Sequence, residues 1–147
     1  MSITYTNHFK TIYDEIKARI VAEIPRFGGK NRCLFRQVNA KDLGSEDTIF
    51  IKPSVDNEEM EDTGGRTSAF IVELIYLKKM HPELDYDQIT DVGEHLKKLF
   101  GAGNYRHHPT YWHYCNVANI DYDPELPEEI INTYGFKMTL EIHKSQY

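Results

Sequence analysis

The residues best suited to chemistry lie together in one short segment, GNYRHHPTYWHYCN, from Gly103 to Asn116. It contains three histidines, one of the chain's two cysteines, its single tryptophan and three tyrosines. Histidine transfers protons near neutral pH and, like cysteine, is a common zinc ligand. Tyrosine and tryptophan combine a large apolar ring with a polar tip, which suits a surface that another protein covers. The segment therefore suggests a metal site, a catalytic site or a protein interface.

A zinc site is the first of these alternatives. His108 and His113 have a separation found in finger-type sites, and on a strand His113 and Cys115 would point the same way. However, Pro109 separates the histidines and no C-x₂-C pair accompanies them, whereas structural zinc sites take paired ligands from two turns. We therefore predict no bound metal and no cofactor.

A small metal-dependent hydrolase or nuclease is the second alternative. His107 or His108 would be its base, and acidic residues such as Asp121 and Asp123 would hold the metal. No H-E-x-x-H, G-x-S-x-G or phosphate-loop sequence frames these residues. We therefore predict that the protein is not an enzyme and has no catalytic residue, and the hydrolase stays the alternative from a different class.

We interpret the segment instead as a subunit or partner interface. So many amphipathic aromatic side chains beside histidines favour a contact that another protein buries, because tyrosine and tryptophan are enriched at interface hot spots. The predicted interface residues are Tyr105, His107, His108, Tyr111, Trp112, His113 and Tyr114.

A second marked stretch is acidic and precedes the glycine pair Gly64-Gly65. Its spacing is not that of a calcium-binding EF-hand loop. It is either a solvated hairpin tip or a loop whose negative charge faces a lumen or a basic partner. Its five carboxylates are Asp56, Glu58, Glu59, Glu61 and Asp62.

Composition limits the class of protein. The chain has 147 residues, of which 40% are hydrophobic and 27% charged, and this fits one globular domain over residues 1–147. No apolar run has the length that a bilayer needs and the start has no signal core, so we expect a cytoplasmic protein without membrane contact. The net charge of −6 argues against tight binding of duplex nucleic acid. We also expect the two cysteines to stay reduced.

Regular elements must position these residues, and the spacing of apolar side chains predicts two helices. A stripe at helical period indicates the first over 5–24, ended by Pro25. The second is expected at about 86–100, with Asp85 and Gln88 as a capping pair.

The remaining apolar runs have the composition of strands. A helix also fits one of them, 67–80, but the glycine pair before it favours a hairpin. We therefore predict an α+β domain in the order α-β-β-β-α-β-β, with two helices flanking a mainly antiparallel sheet. The expected strands are 33–38, 48–55, 67–80, near 111–120 and 133–144.

This series of elements resembles the tail terminator (tail completion) proteins of long-tailed bacteriophages. The resemblance spans nearly the whole chain and leaves a neck or head-closure connector protein as the alternative. It includes the N-terminal amphipathic helix, the hairpin with its acidic loop, the long strand RTSAFIVELIY, the helix QITDVGEHLKKLF and the terminal strand YGFKMTLEIHK.

The resemblance implies a structural protein of the virion that is assembled in the host cytoplasm. Such a protein closes into a ring, expected to be a hexamer, on the end of the tail tube and offers a docking face to the neck and head. Its partners would be further copies of itself, the tube protein, head-closure proteins and, in a contractile tail, the sheath protein. DNA would pass through without specific binding, and the acidic stretch 56–62 would line the channel or rim.

Overall fold

The computed structural model describes residues 2–60, 66–79, 86–101, 112 and 114–146. Within these ranges the chain forms two α-helices and a five-stranded sheet of order β1-β2-β3-β5-β4. All neighbouring strands are antiparallel except β1 and β2. The α+β class and the order of elements confirm the prediction. The elements are α1 His8–Glu23, β1 Cys33–Leu34, β2 Thr48–Met60, β3 Arg66–Lys79, α2 Tyr86–Gly101, β4 Tyr114–Asp121 and β5 Thr133–Gln146.

Helix α1 begins at His8 because the side chain of Asn7 accepts a hydrogen bond of 3.2 Å from the backbone N–H of Lys10. The predicted stripe is confirmed at Ile12, Ile16 and Ile20, which are all fully buried. Tyr5 was expected to extend this stripe, and that prediction was wrong: it precedes the cap and is exposed.

Helix α2 buries the predicted stripe of Ile89, Val92, Leu96 and Leu99. Gly93 lies on the same face, where a Cβ would stand 2.3 Å from the hydroxyl oxygen of Tyr122. The absence of a side chain there lets the segment after β4 pack against the helix. Of the expected capping pair, Asp85 is outside the described residues.

The ambiguous run 67–80 is a strand, because β3 is paired along its length with β2 on one side and β5 on the other. Its alternate side chains from Phe70 to Tyr76 are buried against the helices. Strand β5 buries Phe136, Met138, Leu140 and Ile142 on the same face, as its alternation predicted.

The first predicted strand, 33–38, is shorter than expected. Only Cys33 and Leu34 pair with β2, and the chain then turns towards a 3₁₀ helix at Ala40–Asp42. Beyond Phe50 the outer side of β2 has no strand beside it in the described part of the chain.

Both helices lie on one face of the sheet and enclose the main core. The opposite face has a smaller cluster of Leu43, Phe50 and Leu77 near the start of β2, and the residues packed against it are Leu34, Val38, Ile75, Leu126 and Ile130. The rest of that face has no helix over it among the described elements. The face without helices is therefore the one that remains accessible to other molecules.

A buried carboxylate joins three separate parts of the fold. Asp47, at 4% exposure, accepts hydrogen bonds from Arg26 (3.0 Å to Nη2), from Arg32 and from the hydroxyl of Tyr76 (2.8 Å). Arg32 also donates from Nε to the backbone carbonyl of Asp47 at 2.7 Å. The contacts tie the turn after α1 and the start of β2 to the C-terminal part of β3.

The environment of Asp47 changes its ionisation. Burial by itself would raise the pKa of this carboxyl, but the hydrogen bonds from Arg26, Tyr76 and Arg32 outweigh burial and hold the pKa below its ordinary value of 3.8. Burial and the same carboxylate raise the pKa of the Tyr76 phenol, which therefore stays protonated and donates.

Replacement of Asp47 by asparagine should lower the free energy of unfolding by about 3 kcal/mol, because it removes the buried anion that both Arg26 and Arg32 bind. The wild-type contribution is present above pH 3.8 and is lost as the pH falls through the lower folded-state pKa. Urea denaturation from pH 7 to pH 3 should therefore show a steeper acid loss for the wild type than for Asp47→Asn.

Asp14→Asn is the matched control, since Asp14 makes an exposed ion pair with Lys10 at 2.5 Å. We expect it to change stability by less than about 1 kcal/mol. Equal losses in the two variants would contradict the assigned role of Asp47.

Gly135 of β5 lies directly against the backbone of β3. A Cβ at this position would lie 1.6 Å from the carbonyl oxygen of Tyr76, which is part of the backbone and cannot move aside alone. Gly135→Ala should therefore lower the free energy of unfolding by about 3 kcal/mol, at the upper end of overpacking costs. At Gly44 no atom lies within 4 Å of an added Cβ, so Gly44→Ala should cause no loss. Thermal denaturation of both variants checks this difference.

Candidate functional site

Two of the seven predicted interface residues, Trp112 and Tyr114, are within the described structure. They have different environments, so the segment does not act as one aromatic surface where it is described. The other five are outside the described residues: Tyr105, His107, His108, Tyr111 and His113.

Trp112 belongs to the core of its own subunit. It is 2% exposed and packs with the buried residues under the helices, and the guanidinium of Arg19 lies 4.8 Å from its ring centroid. The indole is already covered, and it offers no surface to a second protein. The interface role predicted for Trp112 is corrected accordingly. Residue type alone could not distinguish the two roles, because a lone tryptophan suits a core and an interface equally.

Tyr114 is on the surface, at 38% exposure. It opens β4 opposite His143 of β5, and the two rings meet edge to face with their centroids 5.6 Å apart. The neighbouring Cys115 points the other way and is fully buried. Tyr114 therefore lies on the face of the sheet that the helices leave uncovered.

The acidic stretch is more regular than expected. Asp56, Glu58 and Glu59 lie within β2 and pair in register with β3, so the expectation of a loop over 56–62 was wrong for its first part. Glu61 and Asp62 are outside the described residues. Asp, Asn and Glu have low strand propensity, so it is the pairing with β3 that imposes the extended conformation on this stretch. We call residues 55–60 of β2 the acidic arm.

The uncovered surface, which we call the open face, spans four strands. Its centre is apolar: Val55 is 43% exposed, and Ala69 and Ile71 beside it are half-buried. At its border, Lys52 of β2 lies opposite Glu73 of β3. On the other side of β3, Ile71 lies opposite Glu141 of β5. An apolar centre with a polar border is typical of a surface that another protein covers.

A cleft at one end of the open face contains the only described histidine–carboxylate pair on the sheet. The ring Nε2 of His143 lies 2.9 Å from Oε1 of Glu141, in a cavity of about 440 Å³ that Asp56 and Thr67 also line. Such a pair can exchange protons. Yet in residues 2–60, 66–79, 86–101, 112 and 114–146, no three His, Cys, Asp or Glu side chains are grouped to hold a metal ion.

Both edges of the sheet are protected against addition of a further strand. On β2, Pro53 removes a backbone donor and an irregularity interrupts the register between Pro53 and Val55. On β4, the register shifts between Val117 and Asn119. Bulges and proline are devices by which edge strands avoid pairing. The open face, and not an edge, is therefore the candidate site.

The buried cysteine near α1 has no reactive character. Burial raises the pKa of the Cys33 thiol to about 11, so it is a thiol and not a thiolate at neutral pH. The positive charge of Lys17 opposes this rise in pKa but does not cancel it. Its surroundings are aromatic, since Tyr13 stacks on Phe35 beside it with ring centroids 4.5 Å apart. Cys33 is a packing residue.

The different environments of Trp112 and Tyr114 predict opposite effects of truncation. Trp112→Ala should lower the free energy of unfolding by about 3–5 kcal/mol, because it empties a large buried volume. Tyr114→Ala should change stability by less than about 1 kcal/mol, since the ring is on the surface. Chemical denaturation of the two variants measures both values, and a small effect at Trp112 would contradict its place in the core.

Comparisons with known proteins do not assign the chain to a family. None of the described helices is long and apolar enough to cross a bilayer. The chain matches no protein-family model and no curated protein.

Proposed function

We propose that the chain is a ring-forming tail terminator, which caps the tail tube of a long-tailed bacteriophage and provides the docking face for neck and head proteins. The open face is the observation that supports this proposal. Its apolar centre at Val55, Ala69 and Ile71 is left uncovered by the described elements of the subunit, while the opposite face is fully used by α1 and α2. A ring supplies neighbouring copies and a tube to cover it.

The size of the open face agrees with a role in assembly. Four strands spaced by about 4.8 Å and seven residues of about 3.3 Å give a flat area on the order of 450 Å². A stable interface buries roughly 800 Å² on each partner. The open face therefore provides about half of such a contact, and a second surface has to contribute the remainder.

The form of β2 and β3 also suits a subunit of a larger structure. The two strands remain paired out to Met60 and Arg66, and the side chains of Lys52 to Glu58 are all exposed. Because β3 is also paired with β5 here, β2 is the outer strand of the arm, and contact with a neighbouring protein would cover side chains that the subunit leaves exposed. In the proposed assembly the partners are further copies of the chain, the tube protein and the neck proteins.

Negative-stain microscopy of the purified protein with tail tubes of the encoding phage tests the proposal. We expect the wild-type protein to cap tube ends and stop their growth. Ile71→Arg should abolish capping, because it places a charge at the apolar centre of the open face.

Ile3→Arg is the matched control, since Ile3 is an exposed isoleucine in the segment before α1. It should cap tubes like the wild type, and circular dichroism should show both variants folded. Tubes that lengthen equally with and without the wild-type protein would refute the terminator function. Binding to the head connector instead of the tube would identify a head-closure protein.

A further inference from the structure

A polar groove lies at the end of the sheet where β2 begins. We call it the basal groove; it has a volume of about 280 Å³ and is lined by Lys30, Arg32, Lys41, Glu46 and Thr48, among others. It is formed between the turn after α1 and the segment that leads into β2. Three of the side chains named here are cations.

The anions of the basal groove are already paired. Glu46 accepts a hydrogen bond from Arg32 at 2.8 Å, and Asp42 accepts one from Arg36 at 3.3 Å. The ammonium groups of Lys30 and Lys41 are exposed and make no ion pair with any described residue. Two positive charges therefore remain at this end of the molecule.

The acidic arm, at the opposite end of the same strand, has the complementary charge. Asp56 and Glu58 are exposed, and Asp56 makes no ion pair within the described part of the chain. The sequence beyond them adds no positive charge before Arg66. The carboxylates of Asp56 and Glu58 are thus opposite in charge to the ammonium groups of Lys30 and Lys41.

Geometry prevents the two ends from meeting within one subunit. Thr48 lines the groove, and Asp56 and Glu58 follow it by eight and ten residues along an extended strand. At about 3.3 Å per residue they lie roughly 26 and 33 Å away. Only a second copy can bring an arm to this groove, and a contact between two different surfaces of one chain produces a ring when the rotation closes.

We propose that the acidic arm of one copy docks in the basal groove of the next, with Asp56 and Glu58 facing Lys30 and Lys41. The contact deepens the proposed function, on which it rests, because it supplies a second surface of the ring beside the open face. Contacts between exposed charges are screened by salt, so this contact weakens as ionic strength rises. An acidic segment of another protein would fit the groove equally well, and the experiment separates that case.

Zero-length carboxyl–amine cross-linking of the full chain, followed by mass spectrometry, tests the contact directly. The wild type, alone and on tube ends, should give cross-links between Asp56 or Glu58 and Lys30 or Lys41, found only in oligomers. No such cross-link under either condition would overturn the proposal.

Charge reversal tests the same contact by complementation. Lys30→Glu/Lys41→Glu and Asp56→Lys/Glu58→Lys should each reduce oligomer formation at least about tenfold, because like charges then face each other. An equimolar mixture should restore it, since each arm now matches the groove of the other variant. Lys97→Glu, on the exposed side of α2, is the control and should assemble normally.

The outcomes for contact and function are separable. Cross-links and restored assembly without capped tubes would support the contact and refute the terminator function. Capped tubes that tolerate each reversal alone would overturn the contact and leave the function standing. Reversals that each abolish assembly, with no restoration in the mixture, would also overturn it and indicate an acidic partner of another kind.

Discussion

The buried carboxylate of Asp47 is the interaction on which the rest of the described structure depends. A buried charge is tolerated only when it is paired, so Arg26, Arg32 and Tyr76 must all reach it. These contacts determine where β2 starts relative to α1 and the central strand β3. They also hold Arg32 at the wall of the basal groove. The same contacts therefore position the groove and the start of β2, the strand whose far end is the acidic arm.

The two faces of the sheet are covered to different extents. Two amphipathic helices and a continuous apolar row on β3 and β5 complete one face, whereas Val55, Ala69 and Ile71 on the other form a small apolar centre with a polar border. Protected edges exclude growth of the sheet sideways, and this leaves contact through the face and the ends.

The local sequence predicted an element well where only one of its faces is buried. The stripes of α1 and α2 and the alternation of β5 each specify a single orientation, so Ile16, Leu96 and Leu140 were placed correctly. The candidate site was predicted less well. Trp112 was assigned to an interface and is in the core, and the acidic residues were assigned to a loop and begin as a strand. In both cases long-range packing outweighs the local pattern, and side-chain type alone does not reveal what lies opposite.

The sequence by itself determined the α+β class, the order of its elements and the acidic character of the stretch after Val55, because periodicity and charge are local properties of the chain. Only the tertiary structure decided that residues 67–79 form the central strand, that Asp47 gathers two arginines and a tyrosine, and that one face of the sheet is left open. These features depend on contacts between residues far apart in sequence, such as Arg26 with Asp47 and Gly135 with Tyr76, which no local pattern specifies.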